Sequence, residues 1–238
     1  MWLGKPYIRV LLTLLFITML WIYVKYFNQI MGIKSDTMQV IQNEESSINS
    51  IDEHVDVEKI VIGVYYEALC PDSRGFIMRD LKSTYDKIPN NVIIELIPYG
   101  KATTNIGPDG YEFKCQHGAR ECEANMIHAC AIDIITNPSV QLNFITCMID
   151  RNVWPIKITR TCAEEMNIDA EPILNCAKSI KGSELLAKYG KMTDALRPPV
   201  TYVPTITLDK DTANQAAILI NLLREVCKRF KTPPAGCL

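Results

Sequence analysis

The 238-residue chain has no excess of basic residues: 25 Lys and Arg stand against 27 Asp and Glu, for a net charge of −2. Nothing in that balance suggests the basic surface on which nucleic-acid binding depends, and short clusters such as Lys228-Arg229 read as solvated helix ends. No N-x-S/T sequon occurs, since Asn137 is followed by Pro138, so glycosylation gives no sign of compartment. Internal repeats and low-complexity tracts are lacking as well, which sets aside repeat arrays and disordered polymers. The last absence is local. In "YYEALCPDSRGF", Tyr65 to Phe76, Cys70 closes an apolar run and Pro71 opens a helical pattern, but Ser73 stands where a second cysteine would complete a C-x-x-C pair.

Cysteine is plentiful elsewhere. Cys115, Cys122, Cys130, Cys147, Cys162, Cys176, Cys227 and Cys237 follow Cys70 and make an even set of eight. In an oxidising compartment they read as a framework of up to four disulfides, with the pairing left open. The N-terminus points to such a compartment. Val10 to Val24, "VLLTLLFITMLWIYV", is uncharged and apolar, and Lys5 and Arg9 before it should stay cytoplasmic. The following "KYFNQIMGIK" lacks the small-residue pattern of a cleavage site. An uncleaved type II anchor is therefore preferred to a cleaved signal peptide, with Tyr23, Tyr26 and Phe27 suited to the membrane interface. On either reading the bulk of the chain lies in the secretory-pathway lumen or outside the cell.

Three regions are expected: a cytoplasmic tip and anchor (or signal) over 1–30, a polar stalk over 31–58 containing a solvated His54, and a folded domain over 59–238. "KIVIGVYYEAL" is a continuous β-branched and aromatic run, as in a buried strand. Ile77, Leu81 and Tyr85 then fall on one helical face with Met78 beside them, and Asn91 to Gly100 forms a second strand. The result is a βαβ unit with a cysteine at its first strand-to-helix junction. From about 120 to 195 the pattern is helical, broken at Pro138, Pro155 and Pro172. "RPPVTYVPTITLDK", Arg197 to Lys210, leads into a strand, and a single last helix presents Leu219, Leu223, Val226 and Phe230 on one face.

Thiol-disulfide exchange needs an accessible, stabilised thiolate. Cys70 sits at a helix start, where free N–H groups and the positive end of the helix dipole favour negative charge. Asp72 opposes this, while a Ser73 hydroxyl is placed to donate to the sulfur. Ser73 cannot form a disulfide, so a mixed disulfide at Cys70 must be taken apart by another thiol. The bland alternative is that Cys70 is a buried structural residue or pairs with another cysteine. A thioredoxin-like domain, which this junction resembles, also has a proline with a cis bond before a strand opposite the active cysteine. Val203-Pro204 is the first candidate, and Pro198 and Pro199 are its rivals. Cys115, Cys122 and Cys130 with His117 and His128 could be imagined as a zinc set, but their spacings match no common zinc motif and no metal is expected.

"CQHGARECEANMIHAC", Cys115 to Cys130, carries a specific resemblance. It is similar to the C-Q-H-G-x2-E-C-x2-N-x4-C signature of the gamma-interferon-inducible lysosomal thiol reductase family. "YYEALCPDS", "IPYGKA", "TDALRPP" and "YVP" resemble that family too, over roughly residues 60–238. The resemblance implies an α/β, thioredoxin-like fold with a disulfide-bonded helical insertion. It implies reduction of protein disulfides in endolysosomes, with catalytic positions at Cys70 and 73 and support from Pro71, Val203 and Pro204. Ser73 departs from the family's resolving cysteine, and a retained anchor departs from a soluble lysosomal form. Within the signature, Gln116, His117 and Gly118 suit a turn, and Glu121 and Asn125 suit a capped helix start. Cys227 and Cys237 are expected to tie the tail to the last helix.

The expected function is a reductase or isomerase of protein disulfides. It would use no cofactor beyond an external thiol such as cysteine or glutathione. Its expected partners are disulfide-containing proteins and, through the N-terminal segment, a membrane, but not nucleic acid; oligomeric state is left open. The alternatives are a retention module that holds clients as Cys70 mixed disulfides, and a family member that has lost its chemistry.

Overall fold

In the computed structural model the described residues are 11–29, 57–108 and 110–238. Lys5, Arg9 and most of the expected stalk, His54 included, lie outside them. Residues Met1–Asp56 and Val57–Leu238 form two separate units. In the first, α1 (Leu11–Gln29) is a 19-residue helix long and apolar enough to cross a membrane. Tyr23 and Phe27 stack along it at 6.4 Å, and Lys25 lies over the Trp21 ring.

The second unit is organised around β1 (Ile60–Tyr66), whose residues are almost all buried. It pairs in parallel with β2 (Val92–Pro98) and antiparallel with β5 (Thr205–Leu208), giving the order β2-β1-β5. A parallel neighbour requires a crossover. That crossover is a helical run made of α2 (Pro71–Gly75), a π-helical segment Phe76–Leu81, and α3 (Lys82–Lys87). The π segment differs from the plain α-helix expected: the Lys82 amide donates to Ile77, five residues back. Phe76, Ile77 and Leu81 are buried by it, while Met78 and Tyr85 only edge the core.

A hairpin not foreseen from sequence, β3 (Thr103–Gly107) and β4 (Gly110–Lys114), leads into five helices. These are α4 (Ala119–Ile134), α5 (Pro138–Asp150), α6 (Pro155–Glu165), α7 (Glu171–Ala177) and α8 (Ile180–Asp194). The prolines expected to break helices in fact begin them, where a missing N–H costs nothing. The core between sheet and helices joins Ile62, Val64 and Tyr66 of β1 to Phe144, Ile145 and Met148 of α5.

The last helix is two helices, α9 (Gln215–Ile220) and α10 (Leu222–Cys227). Asn221 leaves helical geometry and its side chain accepts from the Arg224 amide, capping α10. The break moves the buried face to Ile218, Leu222, Val226 and Phe230, and Leu219 and Leu223 are only partly buried. Four disulfides hold the unit: Cys115–Cys122, Cys130–Cys176, Cys147–Cys162 and Cys227–Cys237. The second joins α4 to α7, the third α5 to α6, and the fourth ties the C-terminal residues to α10, as expected.

Candidate functional site

With eight cysteines paired, Cys70 is the one free thiol among the described residues, and it is buried, as the bland alternative had it, but unpaired. It is the N-cap of α2, in extended geometry, and its carbonyl accepts the first helical bond from the Arg74 amide. Pro71 follows at the first helical position, exposed. The Cys70 sulfur lies 3.9 Å from the Val203 carbonyl oxygen, across the gap to β5. Val203-Pro204 is a cis bond, and so is Arg197-Pro198, one of its rivals; Pro199 does not follow a cis bond. Thus the residue before a cis proline faces the thiol, though its partner in sequence is 133 positions away.

Ser73 corrects one expectation. It is fully buried, and its hydroxyl accepts from the Glu67 amide at 3.4 Å rather than donating to the Cys70 sulfur. Burial points the side chain back under the strand end, into the turn that carries the thiol. A thiolate at Cys70 therefore has the helix start beside it but no hydroxyl from Ser73.

Two asparagines hold that turn. Asn125 of α4 accepts the Ala68 amide at 2.9 Å, and Asn152, between α5 and α6, donates to the Ala68 carbonyl at 3.0 Å. Ala68, two residues before the thiol, is thus gripped at both its N–H and its C=O. Asn125 was expected to cap a helix start. It is wholly buried instead, because α4 begins at Ala119 and its second turn faces the active turn. Asn152 belongs to no motif and only the fold reveals it. Arg74 adds an ion pair of 2.8 Å with Asp150 from the same region.

Glu67, the residue before Ala68, is also fully buried. One carboxylate oxygen accepts the Lys101 amide at 2.9 Å. Gly100 makes this approach possible: its φ is +63°, and a Cβ there would come within 2.2 Å of the Glu67 side chain. This is the physical content of "IPYGKA". Burial raises the Glu67 carboxyl above the ordinary carboxylate range, against the pull of the Lys101 amide. Its second oxygen makes no hydrogen bond and lies 3.4 Å from Nδ1 of His117. His117 Nδ1 is also 2.6 Å from a carboxylate oxygen of Glu121, whose other oxygen accepts the His117 amide at 3.0 Å. Gly118, at φ +83°, permits the tight turn between them. The sequence pattern Q-H-G-x2-E therefore builds a turn, as expected, but its imidazole faces two buried carboxylates. The sulfurs of the set imagined for zinc are tied up in disulfides: Cys115 and Cys122 are bonded to each other and Cys130 to Cys176.

His128, the second histidine of that set, is buried in α4 and shares a 2.9 Å hydrogen bond with the Tyr66 hydroxyl. Burial lowers its pKa to about 3 and pushes the Tyr66 hydroxyl well above its ordinary value. Both are neutral structural groups fastening α4 to the end of β1.

Residues 61–166 match the family model described as gamma interferon inducible lysosomal thiol reductase. A gamma-interferon-inducible lysosomal thiol reductase-like protein of Anopheles gambiae is 33% identical over 197 residues, covering 76% of this chain and 80% of that protein. The Mus musculus gamma-interferon-inducible lysosomal thiol reductase is 31% identical over 175 residues, 72% of this chain and 69% of its own. Among solved structures, Chlamydia trachomatis DsbA superposes over 74% of this chain and 90% of its own at a TM-score of 0.53. Its 11% identity limits that likeness to the fold, which is thioredoxin- and DsbA-like.

Proposed function

The chain belongs to the gamma-interferon-inducible lysosomal thiol reductase family, and from that premise we propose that it is a thiol-disulfide oxidoreductase with Cys70 as its only nucleophile. Family and fold support the oxidoreductase class. The single observation that carries the finer reading is the state of the sulfurs. Cys70 alone is unpaired, at a helix start facing the carbonyl before a cis proline.

The Cys70 thiolate attacks one sulfur of a protein disulfide, forms a mixed disulfide and releases the other client sulfur as a thiolate. Ser73 cannot attack in turn. For net reduction, one small thiol such as cysteine or glutathione attacks the Cys70 sulfur and releases the client thiol. A second thiol then frees Cys70 and leaves as the small-molecule disulfide, so two thiols are oxidised for each client disulfide reduced. For isomerisation, a client thiol attacks the mixed disulfide instead and Cys70 departs with no net redox change. The second course needs no external reductant and suits a site without a resolving cysteine.

Residues 59–238 constitute the working unit, and Pro71, Val203 and Pro204 shape the entrance to the thiol. The apolar α1, the four disulfides and the lysosomal relatives support a secretory or endolysosomal lumen. The test is turnover of insulin and scrambled ribonuclease disulfides by the wild type and Cys70→Ser, with glutathione or cysteine present. Cys70→Ser should lose all turnover above the buffer rate, and equal rates would sink the proposal. Cys70-dependent adducts on non-reducing gels without turnover would favour client retention over catalysis.

A further inference from the structure

We propose that Glu67, His117 and Glu121 form a binding site for a single divalent transition-metal ion of the zinc type. The three ligand atoms, one from each side chain, already lie within 4.8 Å of one another. Zinc holds imidazole nitrogen and carboxylate oxygen at about 2.0–2.2 Å, which spaces tetrahedral ligands roughly 3.3 Å apart. The observed separations of 2.6 Å (His117 to Glu121) and 3.4 Å (His117 to Glu67) bracket that value. Small side-chain movements would complete the geometry, with the ion replacing the proton between His117 and Glu121.

The independent sign of a ligand is the second oxygen of Glu67. It is buried and without a hydrogen bond, and it faces the cluster. A buried carboxylate oxygen in that condition calls for a cation or a proton. The other oxygen of each glutamate is already fixed by an amide, Lys101 for Glu67 and His117 for Glu121. These bonds orient the remaining oxygens toward the shared point, as outer partners do at metal sites. The Cys115–Cys122 disulfide closes the loop that carries His117 and Glu121. The His117 side chain remains 35% exposed, which leaves an entry path and a fourth position for water. Calcium and magnesium, which prefer six or more oxygens, fit poorly. A bound ion would fasten the turn leading to Cys70 onto the start of α4.

The probe is zinc chloride, titrated by calorimetry into the full chain with Cys70 first alkylated so that its thiol cannot compete. One ion per chain should bind, and magnesium should not. His117→Ala, at a part-exposed position, and Glu67→Gln should each weaken binding by roughly ten- to a hundredfold. Zinc should also raise the melting temperature of the alkylated wild type but not of His117→Ala. No zinc binding by the wild type would overturn the proposal, leaving a proton-sharing triad. Binding undiminished in His117→Ala would overturn it as well.

Discussion

The sheet and the helices inserted beside it use sulfur in opposite ways. From β1 through β2 there is one cysteine, Cys70, unpaired and at the start of a helix. From Cys115 to Cys176 there are six, all in disulfides, two of which join one helix to another. The sheet draws its order from a strand buried on both faces and needs no cross-link. The helices α5, α6 and α7 are of 13, 11 and 7 residues, and short helices depend on tertiary contacts and covalent ties. Reactive and structural thiols are thus kept in separate layers, and Asn125, Asn152, Tyr66 and His128 join the two.

The strongest blow to this division falls on the helices. Replacing Cys130 and Cys176 with serine opens a loop closed over a separation of 46 residues. By chain entropy this costs about 4 kcal/mol, against about 2 kcal/mol for Cys115 and Cys122, separated by 7. Urea unfolding measures both, and an equal loss would show that loop length does not set the contribution. Next comes Ser73→Cys, which puts a second reactive sulfur into the sheet layer. Intramolecular resolution should raise reductive turnover on the order of a hundredfold, read as insulin reduction at a fixed glutathione concentration.

The third prediction concerns acid. Folded His128 titrates at about 3 and the unfolded chain's histidine near 6.5, so between these values the unfolded state holds the extra proton. The stability at stake is fully present above about pH 6.5 and falls as pH drops toward 3, by about 2 kcal/mol at pH 5. Melting curves at pH 7 and pH 5 should show this, and His128→Gln should flatten the difference even if it lowers both midpoints. The smallest effects lie at the seam. Asn125→Ala leaves the Ala68 amide unsatisfied and should cost about 1–2 kcal/mol, and Asn152→Ala, half-buried, about 1 kcal/mol or less. Both should slow Cys70 alkylation or client turnover more than their stability loss explains; unchanged rates would mean the grip on Ala68 does not position the thiol.

Much of the sheet was legible because it depends on local pattern. The β-branched run of β1, the proline after Cys70 and the odd cysteine were all visible in the chain. The signature from Cys115 to Cys130 was visible too, but its roles were not. Asn125 looks like a capping residue until α4 is seen to start six residues earlier and to face Ala68. Glu67 looks like the end of a strand, and only the approach of Gly100 and His117 makes it the centre of a polar cluster. Disulfide pairing depends on which helices meet, which spacing does not encode. The break at Asn221 was masked because apolar residues continue at helical spacing on both sides of it.

The grip on Ala68 gives the insertion a hold on the chemistry. Asn125 and Asn152 offer one residue the acceptor and the donor that an adjacent strand would offer a whole edge. A tilt of α4, or a shift of the bend between α5 and α6, would therefore be carried to the sulfur as a change of angle. A large client pressing on the helices could in this way alter the thiol it is about to meet, without touching it.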